Sequence, residues 1–165
     1  MLDYLGIFNV FNEKKIKYMV VGGLAVNFYG IPRMTYDIDL LLYLEDKNLK
    51  AFLFLMKKWG FKPKIPVNIE DFADAHKRTD WIKHKNMKAF NFVNTNWAIS
   101  EIDVVINTPV DYKKAEENIQ YINLHDVVVP TISINNLIEM KKKSNRIQDK
   151  EDIKNLRKIL RQRNK

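Results

Sequence analysis

The chain has 165 residues, 46% apolar and 12% aromatic, with no cysteine and a formal net charge of +8. That length suits one domain with a real core and is too short for two ordinary ones. The apolar content excludes a disordered chain, no window approaches the roughly 18 uncharged apolar residues of a membrane span, and the lack of cysteine excludes disulfides and thiolate metal sites.

In chain order, Leu2 to Lys15 places Leu5, Phe8 and Phe11 at helical spacing, and Lys17 to Val21 reads as a short buried strand ending at Gly22-Gly23. Leu24 to Tyr29 fits a helix stopped by Gly30 and Pro32, Thr35 to Tyr43 a strand, and Asp46 to Trp59 an amphipathic helix ending at Gly60. From Lys62 to Asn96 the pattern weakens to loop, a short helix and a strand near Lys88 to Val93. Ala98 to Ile106 is a strand, Tyr112 to Ile119 a short helix, and Val127 to Val129 a further strand before Pro130. Ser133 caps a helix through Lys143, and a last helix covers Asp149 to Arg161. The alternation predicts an α/β (α+β) domain over 1–165, with a mixed sheet flanked by helices.

Charge is unevenly spread. Lys141 to Lys165 carries eleven Lys/Arg against three Asp/Glu, which leaves the first 140 residues formally neutral. Such a segment attracts phosphates, nucleic acid or acidic ligands, or is a solvated helix face with a basic tail at 161–165. The opening MLDYLGIFNVFNEKK lacks a basic leader and a small-residue cleavage site, so a cytoplasmic location without membrane association is the expectation.

Two aspartates stand where an apolar strand should be. In TYDIDLLL, Asp37 and Asp39 lie two residues apart, hence on one face of a strand, ahead of Leu40, Leu41 and Leu42. On an edge strand facing water they need no explanation; in a buried strand, paired like charges are costly without a cation. Hard divalent ions take carboxylate oxygens, and SEIDVVI supplies Glu101 and Asp103 with the same spacing. Gly22-Gly23, between a strand and a helix, is either an ordinary tight turn or an anion site built from helix N-terminal amides.

Together these residues resemble the DNA-polymerase-β-like nucleotidyltransferase superfamily, in its small single-domain branch. The matching segments are Val21-Gly22-Gly23, Asp37-Ile38-Asp39 and Ile102-Asp103-Val104, with GIPRMTYDIDLLL similar to the Arg-x-Thr-x-Asp-x-Asp lead-in of minimal antitoxin, abortive-infection and antibiotic-modifying members. The segment LIEMKKKSNRIQDKEDI looks like their closing helices. Where the family has Gly-Ser, with a phosphate-holding hydroxyl, this chain has Gly23.

The resemblance implies a site in which Asp37, Asp39 and Asp103 hold two Mg²⁺ or Mn²⁺ ions and a nucleoside triphosphate is the donor. Asp103 or Glu101 takes the acceptor's proton, and Gly22, Gly23, Arg33, Thr35, Lys141 and Arg146 face the phosphates. Arg33 can equally be a surface arginine, and Lys141, Lys142 and Arg146 solvated helix charges. Asp149 and Asp152 suit the positive end of the last helix. The acceptor stays open among an RNA end, a protein side chain and a small molecule such as an antibiotic. His76, Arg78, Trp81, Lys83, Lys85, Lys88, Phe90, Phe92 and Trp97 either bind it or, for the aromatics, form core. A homodimer or a toxin or antitoxin partner would be compatible. Two competing functions share parts of this pattern: a non-catalytic antitoxin-like or nucleic-acid-binding module, and Mg²⁺-dependent phosphate-ester hydrolysis.

Overall fold

Seven strands form one mixed sheet in the computed structural model, which describes residues 3–163. The strands are β1 (Tyr18–Val20), β2 (Ile38–Leu42), β3 (Lys62–Pro63), β4 (Ala89–Val93), β5 (Glu101–Val105), β6 (Gln120–Leu124) and β7 (Val127–Thr131), ordered β3-β4-β5-β2-β1-β7-β6. Helices α1 (Tyr4–Glu13), α2 (Gly22–Phe28), α3 (Asp46–Trp59), α4 (Ala75–Lys85), α5 (Tyr112–Glu116), α6 (Ile134–Ser144) and α7 (Ile147–Arg163) surround it. The mixed α/β class expected from the alternation is what the chain adopts. No helix among the described residues is long and apolar enough to cross a membrane.

The central strands β2 and β5 are parallel, pairing Ile38 with Ile102, Asp39 with Asp103 and Leu40 with Val104. β4 continues the row antiparallel, setting Asn91 opposite Asp103 and Phe90 opposite Val104. Because side chains alternate across a strand, this register sorts them onto two faces. Ile38, Leu40, Ile102, Val104, Phe90 and Phe92 are buried on one face. There Phe52 of α3, Phe72 of a short 3-10 helix (Ile69–Ala73) and Trp81 of α4 pack against Phe90 and Phe92. Each fully buried ring contributes roughly 1.5–3 kcal/mol. The opposite face is left for Asp39, Asp103 and Asn91.

Local chemistry fixes the joints. Buried Asn48 of α3 accepts from the Lys17 amide at 2.7 Å and donates to the carbonyls of Lys17 and Tyr43, tying the start of β1 to the end of β2. Gly60 closes α3 in the left-handed region at φ 81, as its place after the amphipathic run predicts. Ser133 caps α6 by accepting from Asn136 N–H, and Asn145 ends that helix left-handed.

The structure departs from the sequence reading in several places. Helix α2 starts at Gly22, so both glycines lie inside its first turn. β2 starts at Ile38, leaving Thr35 to Asp37 in the preceding loop. The weak middle region contains the 11-residue α4, capped by Asp74, whose polar periphery hides its helical period: only Arg78 and Trp81 are buried. β6 is an additional, half-exposed edge strand with little apolar alternation to betray it. Of the basic tail, Arg161 to Arg163 belong to α7; residues 164 and 165 lie outside the described part.

Candidate active site

Asp37, at the lip of β2, and the cross-strand pair Asp39 and Asp103 each bring one carboxylate oxygen within 4.8 Å of the others. Three acids at this spacing repel one another, and burial removes the water that would screen them. Asp39 is pushed up to about 6 by burial first and by the charge of Asp37 second, against the Gly23 amide, Lys141 and Arg146. Asp103 is pushed up to about 7, mainly by burial, with Asp39, Glu101 and Asp37 adding to it and a hydrogen bond from Asn91 opposing. That bond, Asn91 Nδ2 to Asp103 Oδ1 at 2.7 Å, follows from the shared row of β4 and β5. Thr35 Oγ1 donates to Asp37 Oδ1 at 2.8 Å and orients the third acid. An all-carboxylate donor set of this kind suits a hard divalent cation such as Mg²⁺ or Mn²⁺.

The glycine pair serves these acids directly. Gly22 sits at φ 64, and a Cβ there would overlap the Asp39 carboxylate; only glycine fits. The Gly23 amide donates to Asp39. A Cβ on Gly23 would lie 3.2 Å from both Arg33 Cζ and Thr35 Oγ1, so a side chain there would press on those two residues.

Arg33, Lys141 and Arg146 do come together, but around two aspartates. Asp152 Oδ2 accepts from Arg33 Nη1 at 2.5 Å and from Lys141 Nζ at 2.7 Å, and Asp149 takes Lys141 at 3.3 Å and Arg146 Nε at 3.0 Å. Lys141, Asp149 and Asp152 are 4%, 1% and 4% exposed, which corrects the reading of Lys141 as a solvated charge and of the two acids as dipole partners alone. Asp149 is in the first turn of α7, and burial works against its ionisation. The Arg146 side chain, Ser144, the Arg146 amide and Lys141 outweigh that and hold it down at about 2. Arg33 Nε is buried and has no hydrogen-bond partner among the described residues. Lys142 is exposed.

Two cavities meet the acids. The larger, about 520 Å³, is lined by Gly22, Asp39, Asp103, Lys88, Lys143 and Arg146, among others. The smaller, about 240 Å³, is bounded by Asp37, Arg33, Thr35, Ser100 and Glu101, with Met34 and Tyr36 exposed at 76% and 73%. Glu101 shares its face with Asp103 but is held by Lys64 Nζ at 2.8 Å and is not part of the close cluster.

The aromatic residues of the middle region are mostly packed inside. Trp81, Phe90 and Phe92 are core; Trp97 packs on Trp59 and Phe61; Arg78 is buried, donating to the Phe72 carbonyl at 2.6 Å. His76, Lys83 and Lys85 are exposed on α4, whereas Lys88 lines the larger cavity. Asn91 was missed by sequence reasoning; its signal was its register opposite Asp103, which requires knowing that β4 and β5 pair.

No family model matches this sequence, and no curated protein matches it. Solved structures do. The lincosamide antibiotic adenylyltransferase LnuA, crystallised with lincomycin, superposes with a TM-score of 0.61 at 17% identity, covering 93% of both chains. The antibiotic-resistance factor ANT(2'')-Ia gives a TM-score of 0.53 at 12% identity over 95% of this chain and 88% of that one. An antigenic nucleotidyltransferase-like protein from Paracoccidioides brasiliensis gives 0.50 at 14% identity, covering 93% and 71%. Over nearly its whole described length, the chain takes the nucleotidyltransferase fold, that of the superfamily which its Gly-Gly, Asp-x-Asp and third aspartate resemble.

Proposed function

We propose that the protein, as one domain over 1–165, transfers a nucleoside monophosphate from a nucleoside triphosphate to a hydroxyl group. The observation that carries this reading is the clustering of Asp37, Asp39 and Asp103 on the open sheet face, between two cavities. The three carboxylates would hold divalent cations, which would supply charge neutralisation at the reacting phosphoryl group and a more acidic acceptor hydroxyl. The larger cavity is the triphosphate seat, because cations line its walls. The acceptor oxygen bonds to the α-phosphorus as the α–β bridging bond breaks, and pyrophosphate leaves in line. Asp103 takes the acceptor's proton; Glu101 is less suited, being committed to Lys64. Thr35 and Arg33 act by positioning, the first on Asp37 and the second by tying the loop before β2 to α7.

In-line transfer puts the acceptor opposite the leaving group, and the smaller cavity at Asp37 is its proposed seat. Its size, with Tyr36 and Met34 exposed beside it, favours a small hydroxylated molecule over a folded macromolecule. The likeness to LnuA and ANT(2'')-Ia supports the same choice.

Incubation with each labelled triphosphate, Mg²⁺ and pooled small-molecule, RNA and protein acceptors tests this. Label should pass to a small molecule with release of pyrophosphate, and Asp37→Ala and Asp103→Ala should abolish transfer while keeping the fold. Label on RNA or protein would refute the acceptor assignment. Triphosphate binding equal in wild type and Asp37→Ala, without transfer, would favour a non-catalytic antitoxin-like module.

A further inference from the structure

The larger cavity has cations of two kinds. Lys141 is committed to Asp149 and Asp152, and Arg146 Nε to Asp149. Lys88 and Lys143 are different: both are exposed cavity-lining residues, and neither forms an ion pair with a carboxylate among the described residues. They arrive from distant parts of the chain. Lys88 immediately precedes β4, and its carbonyl accepts from the amides of Ile106 and Asn107. Lys143 is in the last turn of α6, and its Nζ donates to Asn107 Oδ1 at 2.7 Å. Asn107 therefore links the two lysines, one through backbone and one through side chain, at the end of β5 remote from Glu101.

Charge decides what fits between them. The lining of the cavity holds the carboxylates of Asp39 and Asp103 together with the ammonium groups of Lys88 and Lys143. A ligand complementary to both sets of groups brings a cation for the acids and a run of anionic oxygens for the lysines. We infer that Lys88 and Lys143 form a two-sided grip on the terminal phosphates of the triphosphate, with Lys141 confined to holding α6 and α7. This deepens the proposed activity and rests on it. Lysine suits the task as a compact charge on a long stem, placed against phosphate without fixed geometry.

Isothermal calorimetry with Mg²⁺ and inorganic tripolyphosphate, then with each nucleoside triphosphate and monophosphate, tests the grip. The proteins compared are wild type, Lys88→Gln, Lys143→Gln, the double variant and Lys142→Gln, whose residue is exposed but outside the cavity. Each lysine replaced takes away one charge-assisted hydrogen bond to phosphate. Tripolyphosphate and triphosphate binding should therefore weaken about tenfold per residue, with monophosphate binding and thermal stability unchanged. Lys142→Gln should behave as wild type. Wild-type affinity in the double variant, or an equal loss in Lys142→Gln, overturns the grip while leaving the proposed function standing. Failure of wild type to bind tripolyphosphate or any triphosphate overturns both.

Discussion

Removing divalent cations should make the protein lose stability as pH rises from 5 to 8. Asp39 and Asp103 have carboxyls raised from 3.8 to about 6 and about 7. Across that window the native state still holds protons that the unfolded chain has released, so stability falls with pH. From pH 5, Asp39 contributes over about one unit and Asp103 over about two, and each unit corresponds to about 1.4 kcal/mol. The resulting ceiling of ~4 kcal/mol treats Asp103 as fully desolvated, although it is only partly buried and water screens part of its charge. Halving it gives about 2 kcal/mol, or a fall in Tm of roughly 4–8 °C for a chain of this size.

Calorimetric melts in chelator and in Mg²⁺, at pH 5 and pH 8, measure this. Mg²⁺ should raise Tm far more at pH 8, where both carboxylates are charged. Asp103→Asn should remove most of the pH slope and most of the cation's effect. Asp149, held at about 2, does not confound the window, since its contribution is lost only as pH falls below the ordinary aspartate range. A flat or rising Tm in chelator from pH 5 to 8, or an unchanged slope in Asp103→Asn, would refute the electrostatic account of the cluster.

Gly22→Ala combines a left-handed backbone with overlap on Asp39, so it should cost at least about 2 kcal/mol in denaturant titration and abolish transfer. Lys141→Met leaves Asp149 and Asp152 short of a partner in a buried setting; a loss of about 3–5 kcal/mol is expected, with substantial rescue by Lys141→Arg. A raised KM for triphosphate in Lys141→Met without loss of stability would restore its reading as a phosphate ligand. Asn91→Ala removes the donor that opposes the rise of Asp103, so the acidic limb of the pH–rate profile should move upward and kcat should fall about tenfold.

The parts of this fold that were legible share a strong local signal. Gly60 after an amphipathic run, Ser133 before one, and three leucines behind Asp39 each specify structure within a few residues. The acids were legible for the same reason, since two carboxylates beside an apolar run stand out, although only Asp39 of the pair lies in the strand itself. The rest depended on partners far along the chain. β6 is recognisable only once β7 lies beside it, and Asn91 matters only because its row contains Asp103. Charge misled in a specific way: Lys141 and its neighbours look alike in sequence, yet Lys141 is buried while Lys142 and Lys143 are exposed. What separates them is the helical period of α6, which turns Leu137, Ile138 and Lys141 inward together.

That inward lysine changes the meaning of the basic C-terminal segment. Its pairs with Asp149 and Asp152, together with Arg33 on Asp152, join α6, α7 and the loop that presents Asp37. Such a buried network is weak support for net stability, because desolvation offsets much of the Coulombic gain. Its value lies in geometry: breaking any member strands a charge, so the loop before β2 has few alternative placements. Lys141 and Arg146 also act on Asp39, each opposing the rise that burial imposes. The segment's positive charge is thus divided by partner: buried Lys141 and exposed Arg146, both paired with Asp149, act on the acid cluster, while Lys143, without a carboxylate partner among the described residues, remains available to an anion in the cavity.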